Sequence, residues 1–138
     1  MSILVVFIGG GVGSVLRFLI SKGVAKLFTS LFIFESSTNL AYASAAATFF
    51  VNIFGSLLIG FLSAIFLYKF SASEHLRLFL MVGLCGGFTT FSAFSLDTLN
   101  LLKLNQTLAL AYLFATLFIS IGLCLVGILL GKNIALSC

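Results

Sequence analysis

The chain has 138 residues, 62% of them hydrophobic, with seven Lys or Arg, three Asp or Glu and a net charge of +4. About 25% of the residues of a soluble domain are charged; here the share is 7%, too few to coat a water-facing surface. The composition excludes a soluble domain, the scattered basic residues do not form a nucleic-acid patch, and residues 1–138 read as a single transmembrane domain in a lipid bilayer.

A helix needs about 20 apolar residues to cross the hydrocarbon, and the charges divide this chain into four such runs. A β-barrel would show alternating segments of about ten residues, which the sequence lacks, so the fold class is an all-α membrane protein with four transmembrane helices. The first run reads from Ile3 to Leu19 or, taken past Lys22, to Phe34. It has no basic stretch ahead of it and no cleavage-like site, so it reads as a retained helix rather than a signal peptide. Gly9 and Gly13 form a small-xxx-small pair that lets helices approach closely. Arg17 either snorkels to the interface or anchors nearby carbonyls or a carboxylate.

The second run, Ala41 to Tyr68, places Thr48, Asn52, Gly55, Ser56 and Ser63 on one helical face. Asn52 is costly in hydrocarbon unless it finds partners. It reads either as glue between helices or as an N–H donor to a passing anion. His75, with Glu74 and Arg77, lies in a short polar link and reads as solvated.

The third run, Leu78 to Leu102, carries the stretch GLCGGFTTFSAF. Gly83, Gly86 and Gly87 each lower helix propensity by roughly 1 kcal/mol, and Thr89 and Thr90 compete for backbone bonds. The helix is expected to unwind at Gly86–Thr90, near the bilayer midplane. Unwound backbone there must be satisfied, and a dry site of carbonyl oxygens suits an alkali ion; a glycine-mediated helix crossing without an ion is the plainer reading. Phe91 and Phe94 follow on one face. Their ring edges are positive and suit a small anion, with Ser92, Ser95 and Asp97 alongside as polar atoms. The fourth run, Leu108 to Leu130, sets Tyr112, Thr116, Ser120 and Cys124 four residues apart, three hydroxyls and a thiol on one face. These hydroxyls either bond back to their own helix or line a pathway.

Cys85, Cys124 and Cys138 have no metal or redox spacing and read as small apolar filler. Loop charge sets orientation, with the richer side cytoplasmic. One side holds Lys69, Arg77 and Lys132, the other Lys22, Lys26 and Lys103, and Arg17 tips the count by one. Such a near-tie fits two arrangements. Identical chains insert both ways as an antiparallel dimer, or one orientation is set by a weak bias or a partner. Inverted-topology pairs build transport pathways at their interface, and four packed helices alone fill their own centre.

The stretches GGGVGSVLRF, FFVNIFGSLLIG and GGFTTFSAFS, in this order on the first three runs, resemble the signature stretches of the Fluc/CrcB fluoride channels. The resemblance covers nearly the whole chain. It implies an antiparallel, dual-topology homodimer in the cell membrane, with two fluoride pores and a broken third helix at Gly86–Thr90. It implies a central structural Na+ held by the backbone carbonyls of Gly86 and Thr89. The family's pore phenylalanines match Phe91 and Phe94, its pore asparagine Asn52, and its fourth-span hydroxyls Tyr112, Thr116 and Ser120. Arg17 matches the arginine of the first signature. Two departures bear on transport rate more than on selectivity: the family commonly reads TTFSTF where this chain has Ala93, and often has glutamate where this chain has Asp97.

The implied function is passive export of fluoride, not catalysis. Fluoride enters cells as HF, ionises at cytoplasmic pH and leaves through the pore down the membrane potential. Two alternatives stand beside it. A small drug–proton antiporter needs a membrane carboxylate, and Glu35, Glu74 and Asp97 are the acids available, none mid-span in the first helix. A non-transporting membrane subunit would leave the polar faces of three spans unexplained.

Overall fold

The computed structural model describes residues 1–31, 36–68 and 73–137, and the regular structure among them is helical. Helix α1 spans Ser2–Leu31, α2 Ser36–Tyr68 and α3 Glu74–Arg77. A π-helical stretch, Leu78–Cys85, continues α3 and leads into α4, Gly86–Phe88. Helix α5 spans Phe91–Leu104 and α6 Gln106–Ser137. Four stretches are long and apolar enough to cross a membrane: Ser2–Phe28, Leu40–Tyr68, Glu74–Leu104 and Gln106–Ser137. Phe34, Glu35, Lys69 and Cys138, named above, lie outside the described residues.

Helix α1 passes through Lys22 and Lys26 unbroken, so these lysines, counted above as loop charges, are helical. Lysine is a good helix former, and its stem can lie on apolar surface; Lys22 Nζ sits 5.1 Å from the Phe18 ring centroid. The link between α5 and α6 is the single residue Asn105. Its N–H donates to the Leu101 carbonyl at 2.7 Å, and its side-chain oxygen accepts from Leu108 N–H at 3.0 Å. One residue thus closes one helix and caps the next.

Lipid tails are as apolar as leucine, so helices in a bilayer associate through close packing and polar contacts. Gly9 and Gly13 of α1 meet Gly83 and Gly87, also four residues apart, on the third span. A Cβ on Gly87 would overlap the Gly10 carbonyl, and one on Gly13 would overlap the Leu84 carbonyl. Helices α2 and α6 pack in the same manner, with Gly127 against the backbone of Leu57 and Phe61. A small core of Ala45, Leu101 and Ala109, flanked by Tyr42 and Tyr112, joins α2, α5 and α6. Many large apolar side chains, among them Phe7, Phe54, Phe118 and Leu129, face outward. Cys85 is buried and Cys124 half-buried, both as free thiols.

Candidate functional site: the Thr89–Thr90 joint and its groove

The third span is interrupted by two extended residues. Thr89 has φ −77° and ψ 157°, and Thr90 has φ −152° and ψ 117°. They fall at the middle of the Glu74–Leu104 stretch. The interruption is narrower than the expected Gly86–Thr90, because Gly86–Phe88 complete a helical turn. Gly87 serves the close crossing with α1, so its lack of a side chain is used for packing rather than for unwinding.

Extended backbone needs new partners, because unpaired polar groups in hydrocarbon cost several kcal/mol each. Asn52 supplies them. Its Oδ1 accepts from Thr90 N–H at 2.8 Å, and its Nδ2 donates to the Thr90 carbonyl at 3.1 Å. The amide thus binds both backbone groups of one residue, as a neighbouring strand would. Thr90 also caps α5, its Oγ1 accepting from Ala93 N–H at 3.2 Å. On the other side, the Thr89 hydroxyl and N–H both donate to the Cys85 carbonyl at 2.9 Å.

These bonds divert two N–H donors from their helical acceptors. In a continuous helix Gly86 would receive Thr90 N–H, and Thr89 would receive Ala93 N–H. Those donors are committed to Asn52 and to Thr90 Oγ1 instead. Gly86 and Thr89 are the residues implicated above in Na+ binding. Neutral carbonyl oxygens are a hard ligand set that fits an alkali ion. Among the described residues no three His, Cys, Asp or Glu side chains converge for a transition metal.

A groove of about 280 Å³ runs past the joint. It brings together Asn52, Phe91, Phe94, Thr116 and Ser120 of the predicted set, with Ser56, Thr89 and Thr90 beside them. The Phe91 and Phe94 rings lie 5.6 Å apart, and Phe94 lies 5.5 Å from the Tyr112 ring. Phe91 is 78% exposed, so its ring projects from the chain. Ser92 and Ser95 do not line the groove. The Ser95 hydroxyl donates back to the Phe91 carbonyl at 3.0 Å, and Ser92 shares a hydrogen bond with Thr90 Oγ1 at 3.3 Å.

The α6 hydroxyls divide. Thr116 bonds back to the Tyr112 carbonyl at 2.7 Å, which leaves its oxygen only as an acceptor. The buried Ser120 hydroxyl has no hydrogen-bond partner among the described residues, whereas the Tyr112 hydroxyl lies against Thr48 and Thr116. Buried polar atoms are rarely left unpaired, so Ser120, which lines the groove, marks where a polar guest fits; Tyr112 of the predicted set does not line it. An amide carries two N–H groups, and the second of Asn52, which lines the groove, has no partner among the described residues.

A second cavity, of about 450 Å³, lies between α1, α2 and α5. Arg17 and Lys22 line it from α1, Ser44 and Thr48 from α2, and Thr90 and Ala93 from the joint. Arg17 is half-buried and has no carboxylate partner among the described residues. Asp97, only 4% exposed, is held instead by Ser44 and Thr48, whose hydroxyls donate to its two oxygens at 2.7 and 2.6 Å. Sequence reasoning placed Thr48 on the polar face of α2 and missed Ser44. The signal was present: Ser44, Thr48, Asn52 and Ser56 repeat every four residues, the spacing of one helical face.

Residues 4–131 match the family model described as CrcB-like protein, Camphor Resistance (CrcB). The chain is 39% identical over 127 residues to the fluoride-specific ion channel FluC 1 of Nitrobacter hamburgensis, covering 91% of each chain. It is 41% identical over 130 residues to the fluoride-specific ion channel FluC of Rhizobium meliloti, covering 94% of this chain and 91% of the relative. Over 102 residues it is 50% identical to the FluC of Bacteroides fragilis (strain YCH46), covering 73% of this chain and 72% of the relative.

Proposed function

The chain belongs to the CrcB-like family, and on that premise we propose that it is a fluoride-specific ion channel of the cell membrane, passive and not an enzyme. The observation that carries the reading to this chain is the joint at Thr89–Thr90. There Asn52 pins an extended backbone beside a groove lined by Phe91, Phe94 and Ser120. Fluoride moving along that groove meets the positive edges of the phenylalanine rings, then the spare N–H of Asn52 and the hydroxyl of Ser120. Weak, multiple contacts suit conduction, which needs binding favourable enough to enter and loose enough to leave. Fluoride trapped in the cytoplasm after HF entry then leaves along the membrane potential, with no energy source beyond it.

The working unit in this reading is an antiparallel, dual-topology homodimer. Its supports are the near-tie of Lys and Arg between the two sides, the outward projection of Phe91 and the large apolar residues facing out from every span. The interrupted helices of two such chains meet at the midplane. The carbonyls of Gly86 and Thr89 from each chain would hold one Na+, whose charge balances their inward dipoles. Its role is structural.

Asp97 is the buried carboxylate among the described residues. It is capped by two hydroxyls rather than open to a groove, which disfavours a proton-exchanging antiporter. The deciding experiment is fluoride efflux from liposomes. Protein purified in sodium is reconstituted with internal potassium fluoride, valinomycin is added, and a fluoride electrode reads the outside, with chloride in parallel. Fast fluoride release without chloride release is expected. Absence of release from folded, dimeric protein refutes the channel.

A further inference from the structure

Five hydroxyl side chains line the cavity between α1, α2 and α5: Ser14, Ser21, Ser44, Thr48 and Thr90. A hydroxyl has one proton to give, and on the α2 wall these protons are already given. Ser44 and Thr48 donate to Asp97, and Ser14 donates to the Gly87 carbonyl at 3.4 Å. Thr90 Oγ1 accepts from Ala93 N–H and pairs with Ser92. Ala93 itself contributes a methyl group.

The cavity is therefore polarised in an unusual way. Arg17 and Lys22 bring positive charge from α1, while on the α2 wall Ser44 and Thr48 have no hydroxyl proton left to offer. Both carboxylate oxygens of Asp97 are needed for this, because Ser44 and Thr48 sit on successive turns of α2 and take one oxygen each. Thr90 borders both this cavity and the phenylalanine groove, so an anion in the first stands next to the second.

We propose that Asp97 is a positioning residue that strips the α2 wall of hydrogen-bond donors, so that fluoride gathered by Arg17 and Lys22 is passed on to the groove instead of being held. Asp97 acts through Ser44 and Thr48 and does not touch the ion. The inference rests on the fluoride-channel reading and specifies how its entry cavity is tuned.

The test separates apparent affinity from rate. Fluoride efflux is measured as a function of internal fluoride for the wild-type chain and for Asp97→Asn. The amide keeps the shape of the carboxylate but accepts from only one hydroxyl through its oxygen, and its NH2 donates to the other. One hydroxyl proton is thereby released to the cavity. The half-saturating fluoride concentration falls at least about threefold, and maximal flux falls with it. The same substitution is then made in a Ser44→Ala, Thr48→Val background, where the shift disappears because no hydroxyl remains to turn. An unshifted half-saturation in Asp97→Asn overturns the proposal. So does an equal shift in the hydroxyl-free background, which would assign the effect to lost charge alone. Asp97→Ser, too short to reach both hydroxyls, gives the same readout should the amide variant not fold. Wild-type protein without fluoride flux sinks the channel reading itself, whereas wild-type flux with unshifted variants sinks only the role given to Asp97.

Discussion

Replacing Asn52 by aspartate changes one atom's chemistry at the joint and separates two effects. The oxygen that accepts from Thr90 N–H at 2.8 Å survives, while the donor to the Thr90 carbonyl at 3.1 Å is lost. Leaving that carbonyl unpaired costs about 1–3 kcal/mol, which lowers stability without removing the whole clamp. Flux responds to the second effect, a carboxylate facing the groove. At a separation of roughly 5 Å and an effective dielectric constant of 20, repulsion of a passing anion amounts to 3 kcal/mol. A barrier higher by that amount slows passage about a hundredfold. The electrostatic term therefore dominates transport, and the lost hydrogen bond dominates thermal stability. Fluoride efflux per folded chain, measured with the thermal midpoint, reads the two separately. Asn52→Leu serves as the uncharged control: it loses both bonds and is the less stable variant, yet retains more flux per folded molecule. Folded Asn52→Asp protein with flux within about twofold of wild type would refute the placement of Asn52 beside the ion path.

Three further outcomes are expected. Phe94→Ile reduces fluoride flux more than Phe91→Ile, because Phe94 contacts both Phe91 and Tyr112; each aromatic pair is worth about 0.5–1.5 kcal/mol beyond its burial. Wild-type flux in both variants, measured by the same efflux assay, removes the rings from the path. Gly13→Ala drives a methyl group into the Leu84 carbonyl and to 2.8 Å from the Phe88 nitrogen, an overpacking that costs about 1–3 kcal/mol. It is read as loss of monodisperse protein on size exclusion; an unchanged yield and thermal midpoint would show that α1 and the third span do not cross so closely. Exchange of sodium for N-methylglucamine throughout purification lowers both the dimer fraction and flux, and sodium restores them. Full flux from protein that has never met sodium would refute the proposed Na+ site.

The sequence by itself determined the solvent and the spans. Seven per cent charged residues cannot wet a surface, and four apolar runs each reach across a bilayer, a matter of composition and length that needs no packing. It also exposed the faces on which chemistry is carried, because the four-residue spacing of Thr48, Asn52 and Ser56, and of Tyr112, Thr116 and Ser120, survives in any helix. What each polar atom does was decided only by the tertiary structure. Gly86 and Gly87, weak helix formers by propensity, remain helical because Gly87 is pressed against Gly10 of α1, and the interruption falls on the two threonines that follow. Thr116 turns its proton to its own helix while Ser120 has no partner, a difference set by local geometry and invisible in the spacing. Asp97 finds Ser44 and Thr48 from across 53 and 49 residues. A hydrogen bond is fixed by distance and direction within a few tenths of an ångström, and positions far apart in the chain acquire such distances only when the helices pack.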